Sequence, residues 1–325
     1  KLWLVIMNKR TMILLIPNIG SKIEGKLKDL NLKPKVKPRD FIKKRGDKKH
    51  RYFSLCIDES GKEILFYARI HNNIDARDKF ITEIKFLCLA GQQGMGKIAP
   101  QMFNYGIEKD FEWLTREEIK PKSLAQLSPR VISSVVSKNS DLLANYVFSI
   151  SEVKANRVNF KSFDWSNHFK FPNFDYLVDK RIINKDLSNS LVSMTRNIAG
   201  DFKKNCHYLS HGDLTLENIL SDKKDFWIID WERACFNNYA YDIAFLWMHL
   251  WNNHSGRKKL INSYIKKINK NDFKLFFPTI VSYLAMGEVL MNFEKEKALD
   301  RTKRKSFCKQ VLKYSVEDFN KLIRL

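Results

Sequence analysis

His211-Gly212-Asp213-Leu214-Thr215-Leu216-Glu217-Asn218-Ile219-Leu220, followed after a short polar stretch by Phe226-Trp227-Ile228-Ile229-Asp230, is the part of the sequence on which the other assignments depend. Asp213, Asn218 and Asp230 stand among apolar residues that read as short buried strands. A carboxylate at the end of such a strand is costly unless it serves a cation or a proton. Phosphoryl transfer needs this set of side chains. One carboxylate takes the proton of a substrate hydroxyl, while an amide oxygen and a second carboxylate hold magnesium against nucleotide phosphates.

The 325 residues are 44% hydrophobic and 13% aromatic, enough for a packed core in one large or two medium domains. The formal charge of +22 is uneven. Residues 1–50 hold fifteen Lys or Arg against four Asp or Glu, half of the net charge. A nucleic-acid or anionic membrane surface is one explanation, and a lysine-rich coding bias is the other. No basic stretch carries the regular aromatic interleaving of a nucleic-acid platform, so nucleic acid is not the expected partner. A membrane surface stays open through the basic first segment. Cys56, Cys88, Cys206, Cys235 and Cys308 are odd in number and widely spaced, which indicates neither a disulfide framework nor a zinc site and fits a reducing cytoplasm. The apolar runs Leu2–Met7 and Met12–Ile16 are too short to span a bilayer and are split by charge, unlike a signal peptide. The chain opens on Lys1, consistent with a start at Met7 or Met12 or with a fragment.

Working toward the amino end, Tyr52–Ile57 and Ile64–Ile70 read as two strands joined by a Gly-containing turn. Phe80, Ile81, Ile84, Leu87 and Cys88 recur at helical spacing, and Gly91, Gly94 and Gly96 stop the helix. Met102–Ile107 and Phe111–Ile119 are two further strands. The expected division is a basic segment over 1–36, a small antiparallel sheet with one main helix over 37–119, and a mainly helical part over 120–325. In the first lobe Arg69, near a strand end, and Glu83, on the helix, are spaced to pair and orient a cation toward nucleotide phosphates, or else are solvated. The loop Arg45–Arg51 is a weak candidate phosphate cover. In the second, Leu187, Leu191, Met194, Ile198 and Phe202 form a helical stripe capped by Asp186, leading into the His211 loop. Helices are also expected at Tyr239–Trp251, Ile261–Ile268 and Ile280–Phe293, and Val153–Asp179 is irregular.

His211-Gly212-Asp213 with Asn218, then Ile228-Ile229-Asp230-Trp231-Glu232, then Tyr241-Asp242-Ile243-Ala244, make the chain resemble the protein-kinase-like small-molecule kinases, in particular the choline/ethanolamine kinase and aminoglycoside phosphotransferase group. The resemblance covers roughly residues 37 to 290. It implies an α+β, two-lobed protein-kinase-like fold, with ATP and Mg2+ as cofactors bound between the lobes and a small-molecule hydroxyl as acceptor. It implies that Asp213 is the catalytic base, that Asn218 and Asp230 bind magnesium, that His211 holds the catalytic loop, and that Asp242 buttresses it. Arg69 stands where protein kinases use Lys, as in choline-kinase-like members, with Glu83 as its acid. Glu117, Glu118 and Ile119 resemble the hinge that meets adenine.

Glu232, Tyr241, Trp247 and Trp251, near Tyr239, fall where choline-like members build an aromatic and acidic substrate pocket, although Trp247 and Trp251 at helical spacing also suit a core, and Glu232 also suits a salt bridge. The expected acceptor is an amino alcohol such as choline or ethanolamine, with an aminoglycoside or sugar hydroxyl as the alternative. A catalytically silent kinase-like scaffold, or a nucleic-acid or membrane-binding protein, is the reading from another class.

Overall fold

The computed structural model describes residues 20–35, 51–70, 74–153, 158–165, 174–268, 271–290 and 298–325. The apolar runs Leu2–Met7 and Met12–Ile16, the loop over 45–50 and the carboxyl end of the helix expected to reach Phe293 lie outside these residues. The chain divides into two compact units, Lys1–Lys120 and Pro121–Leu325. Among the described residues no helix is long and apolar enough to cross a membrane.

The first unit is built on a five-stranded antiparallel sheet. Its strands are β1 (Lys33–Pro34), β2 (Arg51–Ile57), β3 (Glu63–Ile70), β4 (Met102–Ile107) and β5 (Phe111–Glu117), in the order β1-β2-β3-β5-β4. The helix α1 spans residues 20–29. Its Ile23 and Leu27, with Leu32 beyond it, join Tyr52, Cys56, Phe66 and Trp113 in one buried cluster. Residues 20–35 are therefore part of the first unit's core, where the expectation began the lobe at residue 37. Lys22 pairs with Asp110 and Lys26 with Glu108, tying α1 to the β4–β5 turn.

The helix α2 (Ile74–Gln92) packs on the sheet, with Phe80 edge-on to Tyr67 at 5.2 Å. It ends as its glycines predict. Gly94 has φ +68, Met95 N–H bonds back to the Ala90 carbonyl, and Gly94 N–H to that of Gly91, which satisfies carbonyls that the helix end leaves over.

The second unit is mainly helical: α3 (Pro129–Lys138), α4 (Ser140–Ser151), α5 (Phe174–Asp179), α6 (Lys185–Lys204), α7 (Tyr241–His249), α8 (His254–Lys267), α9 (Phe273–Leu290), α10 (Ala298–Glu317) and α11 (Phe319–Arg324). Between α6 and α7 lie four short strands, and one of them pairs with a fifth that precedes α3. The strands β7 (Tyr208–Ser210) and β10 (Cys235–Asn237) pair antiparallel, and β6 (Lys122–Ser123), β8 (Ile219–Ser221) and β9 (Phe226–Ile228) form a second small sheet. Two local expectations change. The cap of α6 is Asn184, whose side chain accepts from the Leu187 N–H, with Asp186 in the first turn. The helix reaches the His211 loop through β7, which anchors the loop on β10 before the candidate site residues begin. In the stretch expected to be irregular, the described part contains α5 and a bridge from Ser162 to Phe236.

Candidate active site

The loop 211–218 is held by hydrogen bonds made largely by its own polar atoms and by one distant carboxylate. Asp242, in the first turn of α7, is 4% exposed. It accepts from Ser210 Oγ at 2.8 Å, from His211 N–H at 2.6 Å and from Gly212 N–H at 3.1 Å. Burial pushes its carboxyl above the usual carboxylate range, opposed by His211 and by these three donors.

His211 is fully buried, and burial pushes its imidazole below the ordinary value, so it is neutral. The Asp213 N–H donates to His211 Nδ1 at 3.2 Å, and Nε2 lies 3.0 Å from the Ile229 carbonyl oxygen. A nitrogen that accepts cannot carry the proton, so the proton is on Nε2 and donates to Ile229. The ring thereby ties the loop to the segment that carries Asp230. It also meets the buried Trp231 ring at 4.5 Å.

Gly212 has φ +77, and a β-carbon there would stand 2.3 Å from the Arg233 carbonyl oxygen. Only glycine satisfies both conditions. Asp213 follows with its side chain 27% exposed, and Arg233 Nε is 3.6 Å from its Oδ2. Burial pushes the Asp213 carboxyl up; Arg233 pulls it down and Glu232 pushes it up further.

Asn218 donates from Nδ2 to the Asp213 carbonyl at 2.9 Å. A carbonyl demands a donor, so the bond leaves the amide oxygen of Asn218 as its acceptor. The Asn218 carbonyl in turn accepts from Ile229 N–H at 3.0 Å. Ile229 is thus bonded on one side to Asn218 and on the other to His211, and the residue after it, Asp230, adopts φ 65 and ψ 58. A left-handed aspartate costs free energy that the surrounding bonds sustain, and such residues cluster at functional sites. The 3-10 turn Trp231–Arg233 that follows is fixed by the Trp231 Nε1–H bond to the Ile228 carbonyl.

His211, Asp213, Asn218, Asp230 and Asp242 are therefore brought together in one unit. One amide oxygen and one carboxylate are a hard-oxygen donor set of the size magnesium uses when phosphates complete its shell. Among the described residues no group of three or more His, Cys, Asp or Glu could hold a metal.

The remaining candidates divide. Arg69 and Glu83 are buried in the first unit at 6% and 5% exposure, which excludes the solvated alternative for both. At the expected hinge, Glu117 has committed its backbone. Its N–H donates to the Gln101 carbonyl, and its own carbonyl accepts from Arg116 Nη1 at 3.1 Å. Ile119 is buried, and burial pushes the half-buried Glu118 carboxyl up.

Of the substrate candidates, Glu232 stands beside Asp213 in the turn after Asp230. Trp247 requires a correction: it is 0% exposed, packed against Phe277 and Phe307 at 5.5 Å, with the Arg257 guanidinium over its ring at 4.9 Å, and is core. Tyr241 is buried among Phe163, Trp165 and Phe245, and Tyr239 at 3% exposure is also core. Trp251 lies beyond the end of α7, half-buried, with Arg304 at 6.0 Å from its ring. Ser210 and Arg233 were missed. Both flank recognisable motifs, but a serine before His211 and an arginine after Glu232 carry no signal until β7 and the 3-10 turn place them.

Comparison with known proteins bears on the family and the fold. A family model described as the phosphotransferase enzyme family matches residues 79–262, more than half of the chain. No curated protein sequence matches it. Among solved structures, an aminoglycoside phosphotransferase from Alicyclobacillus acidocaldarius is 13% identical with a TM-score of 0.55, over 83% of this chain and 90% of that one. A choline/ethanolamine kinase family protein from Mesorhizobium loti is 14% identical with a TM-score of 0.52, over 81% and 89%. Amicoumacin kinase hAmiN, in complex with AMP-PNP, Ca2+ and Ami, is 12% identical with a TM-score of 0.50, over 84% and 89%. At these identities the structures establish a shared protein-kinase-like fold.

Proposed function

The chain belongs to the phosphotransferase enzyme family, and from that premise we propose that it transfers the γ-phosphoryl group of ATP, with Mg2+, to a hydroxyl of a small molecule. The observation that carries the reading is the double bonding of Ile229 to His211 and Asn218, which sets Asp230 and the Asn218 amide oxygen beside the loop of Asp213.

Asp213 binds the acceptor hydroxyl, orients it and takes its proton. Its raised affinity for protons suits that step, because a carboxylate held well below the hydroxyl's needs would be a poor acceptor. Asn218 and Asp230 would hold the metal, which supplies charge neutralisation on the phosphate oxygens when bound. His211 and Asp242 keep the loop in place and touch no reacting atom. Arg69 and Glu83 would orient the nucleotide's α and β phosphates, and Glu118 and Ile119 would meet the base, since the Glu117 backbone is already bonded.

For the acceptor we favour an amino alcohol. The acid of Glu232 close to Asp213 supports a cationic group near the reacting hydroxyl. The aromatic part of that reading no longer includes Trp247 or Tyr241, which are core. A panel of amino alcohols, aminoglycosides and sugars, read by ADP release with Asp213→Asn as control, tests both levels. Turnover by the control equal to wild type would end the assignment of Asp213. Preference for a sugar or aminoglycoside would overturn the amino alcohol alone.

A further inference from the structure

The sheet of the first unit has two chemically different faces. Successive residues of a strand point to opposite faces. In β3, Ile64, Phe66 and Ala68 join the cluster under α1, and in β5 Phe111 and Trp113 do the same. Arg69 has the other parity and belongs to the opposite face. Beyond the end of α1, the face that α1 covers opens into a cavity of about 310 Å³, within the usual range for small-molecule sites.

Leu30, Leu32 and Ile64 form the apolar wall of this cavity. Its other side is made by an irregularity. The register of β4 against β5 shifts between Met102 and Asn104, so Phe103 has no partner in the ladder. A bulge re-aims the side chain that it carries. The Phe103 ring lies beneath the Lys62 ammonium, 4.3 Å from ring centroid to Nζ, and both residues line the cavity. Asn104 and Thr115 add polar atoms, with the Thr115 hydroxyl already engaged by the Asn104 backbone. Asp58 also lines it; its Oδ1 accepts from Ser60 N–H, Ser60 Oγ and Lys62 N–H in the hairpin turn, and its carboxylate shares the field of the Lys62 ammonium.

A cation mounted over a ring, with an apolar wall beside it, matches a small anion that carries a flat or short apolar body. We propose that this cavity is a second binding site, for a small organic carboxylate, on the face of the sheet away from Arg69. The carboxylate meets Lys62 and the body lies against Phe103, Leu30, Leu32 and Ile64. Nothing in this depends on phosphoryl transfer at Asp213.

The test is isothermal titration of the whole chain with sodium benzoate, benzamide and sodium acetate as probes. Benzoate binds saturably at one site, and both others bind about ten-fold more weakly, since one lacks the charge and the other the body. Lys62→Met, which keeps the stem and removes the charge, weakens benzoate about ten-fold at unchanged melting temperature. Phe103→Leu weakens it less, about three-fold. Saturating AMP-PNP leaves benzoate affinity within about two-fold, because the faces are separate. The proposal is overturned by absence of saturable benzoate binding, by equal affinity in Lys62→Met, or by competition with AMP-PNP.

Discussion

A β-carbon on Gly212 would lie 2.3 Å from the carbonyl oxygen of Arg233, and Gly212 already has φ +77. The loop that carries Asp213 is therefore pressed against the turn that follows Asp230, and the absence of a side chain at 212 is what permits it. Gly212→Ala must either strain the left-handed residue or push the turn away. The strain alone is worth about 1–2 kcal/mol. Urea unfolding should show a loss of about 2 kcal/mol or more, with turnover reduced beyond the loss of folded protein. Wild-type stability and rate would show that the loop and turn do not touch.

Asp242→Asn removes one acceptor oxygen from a carboxylate that receives three hydrogen bonds, and places an amide donor against Ser210, His211 or Gly212. A buried donor left unsatisfied costs about 1–3 kcal/mol. We expect kcat to fall about a hundred-fold while KM for ATP stays near wild type, since the substitution displaces Asp213 and leaves nucleotide contacts alone. An unchanged kcat at equal folding would remove Asp242 from the support of the loop.

With Asp213 in the role proposed above, it sets the acid limb of the pH–rate profile. Its carboxyl is raised from its ordinary value, so activity falls on acidification at a higher pH than an ordinary aspartate would give. Arg233 stabilises the ionised form. Arg233→Gln therefore moves the limb to higher pH, and Glu232→Gln, which removes a like charge, moves it lower. Limbs that stay in place in both variants would show that the group titrating is not Asp213.

Stability should depend on pH in the same region for another reason. Burial holds His211 below its ordinary value and His249 down to about 4. The unfolded chain takes up these protons from about pH 6.5 downward, so below that point it binds more protons than the folded chain and stability falls. For His249 the loss continues to about pH 4. The melting temperature should be flat above neutrality and decline through this window, and His249→Gln should lessen the decline.

Trp247→Phe tests the correction made for that residue. In the core the smaller ring leaves a cavity, and the expected outcome is a loss of about 1–3 kcal/mol with acceptor KM unchanged. A selective rise in acceptor KM at wild-type stability would return Trp247 to the substrate pocket.

The local pattern of this sequence determined much. The strands on either side of Gly61, the helix stopped at Gly94 and the closeness of Asp213, Asn218 and Asp230 in one loop system were legible because each rests on short-range chemistry. Alternation, helical spacing, a glycine at positive φ, and an amide five residues from an aspartate leave marks within a few positions. Tertiary structure alone decided the rest. That Asp242 supports the loop was expected from the family resemblance, but the bond by which it does so, to Ser210 from 32 residues away, has no local trace. Residues 20–35 read as a basic tail, yet Ile23, Leu27 and Leu32 are core, because the lysines between them stay at the surface while the apolar stripe turns inward. Trp247 was open to two readings because α7 is apolar on nearly every side, and periodicity on such a helix cannot tell a wall of a pocket from the interior. Only the arrival of Phe277 and Phe307 against its ring settled which one it is.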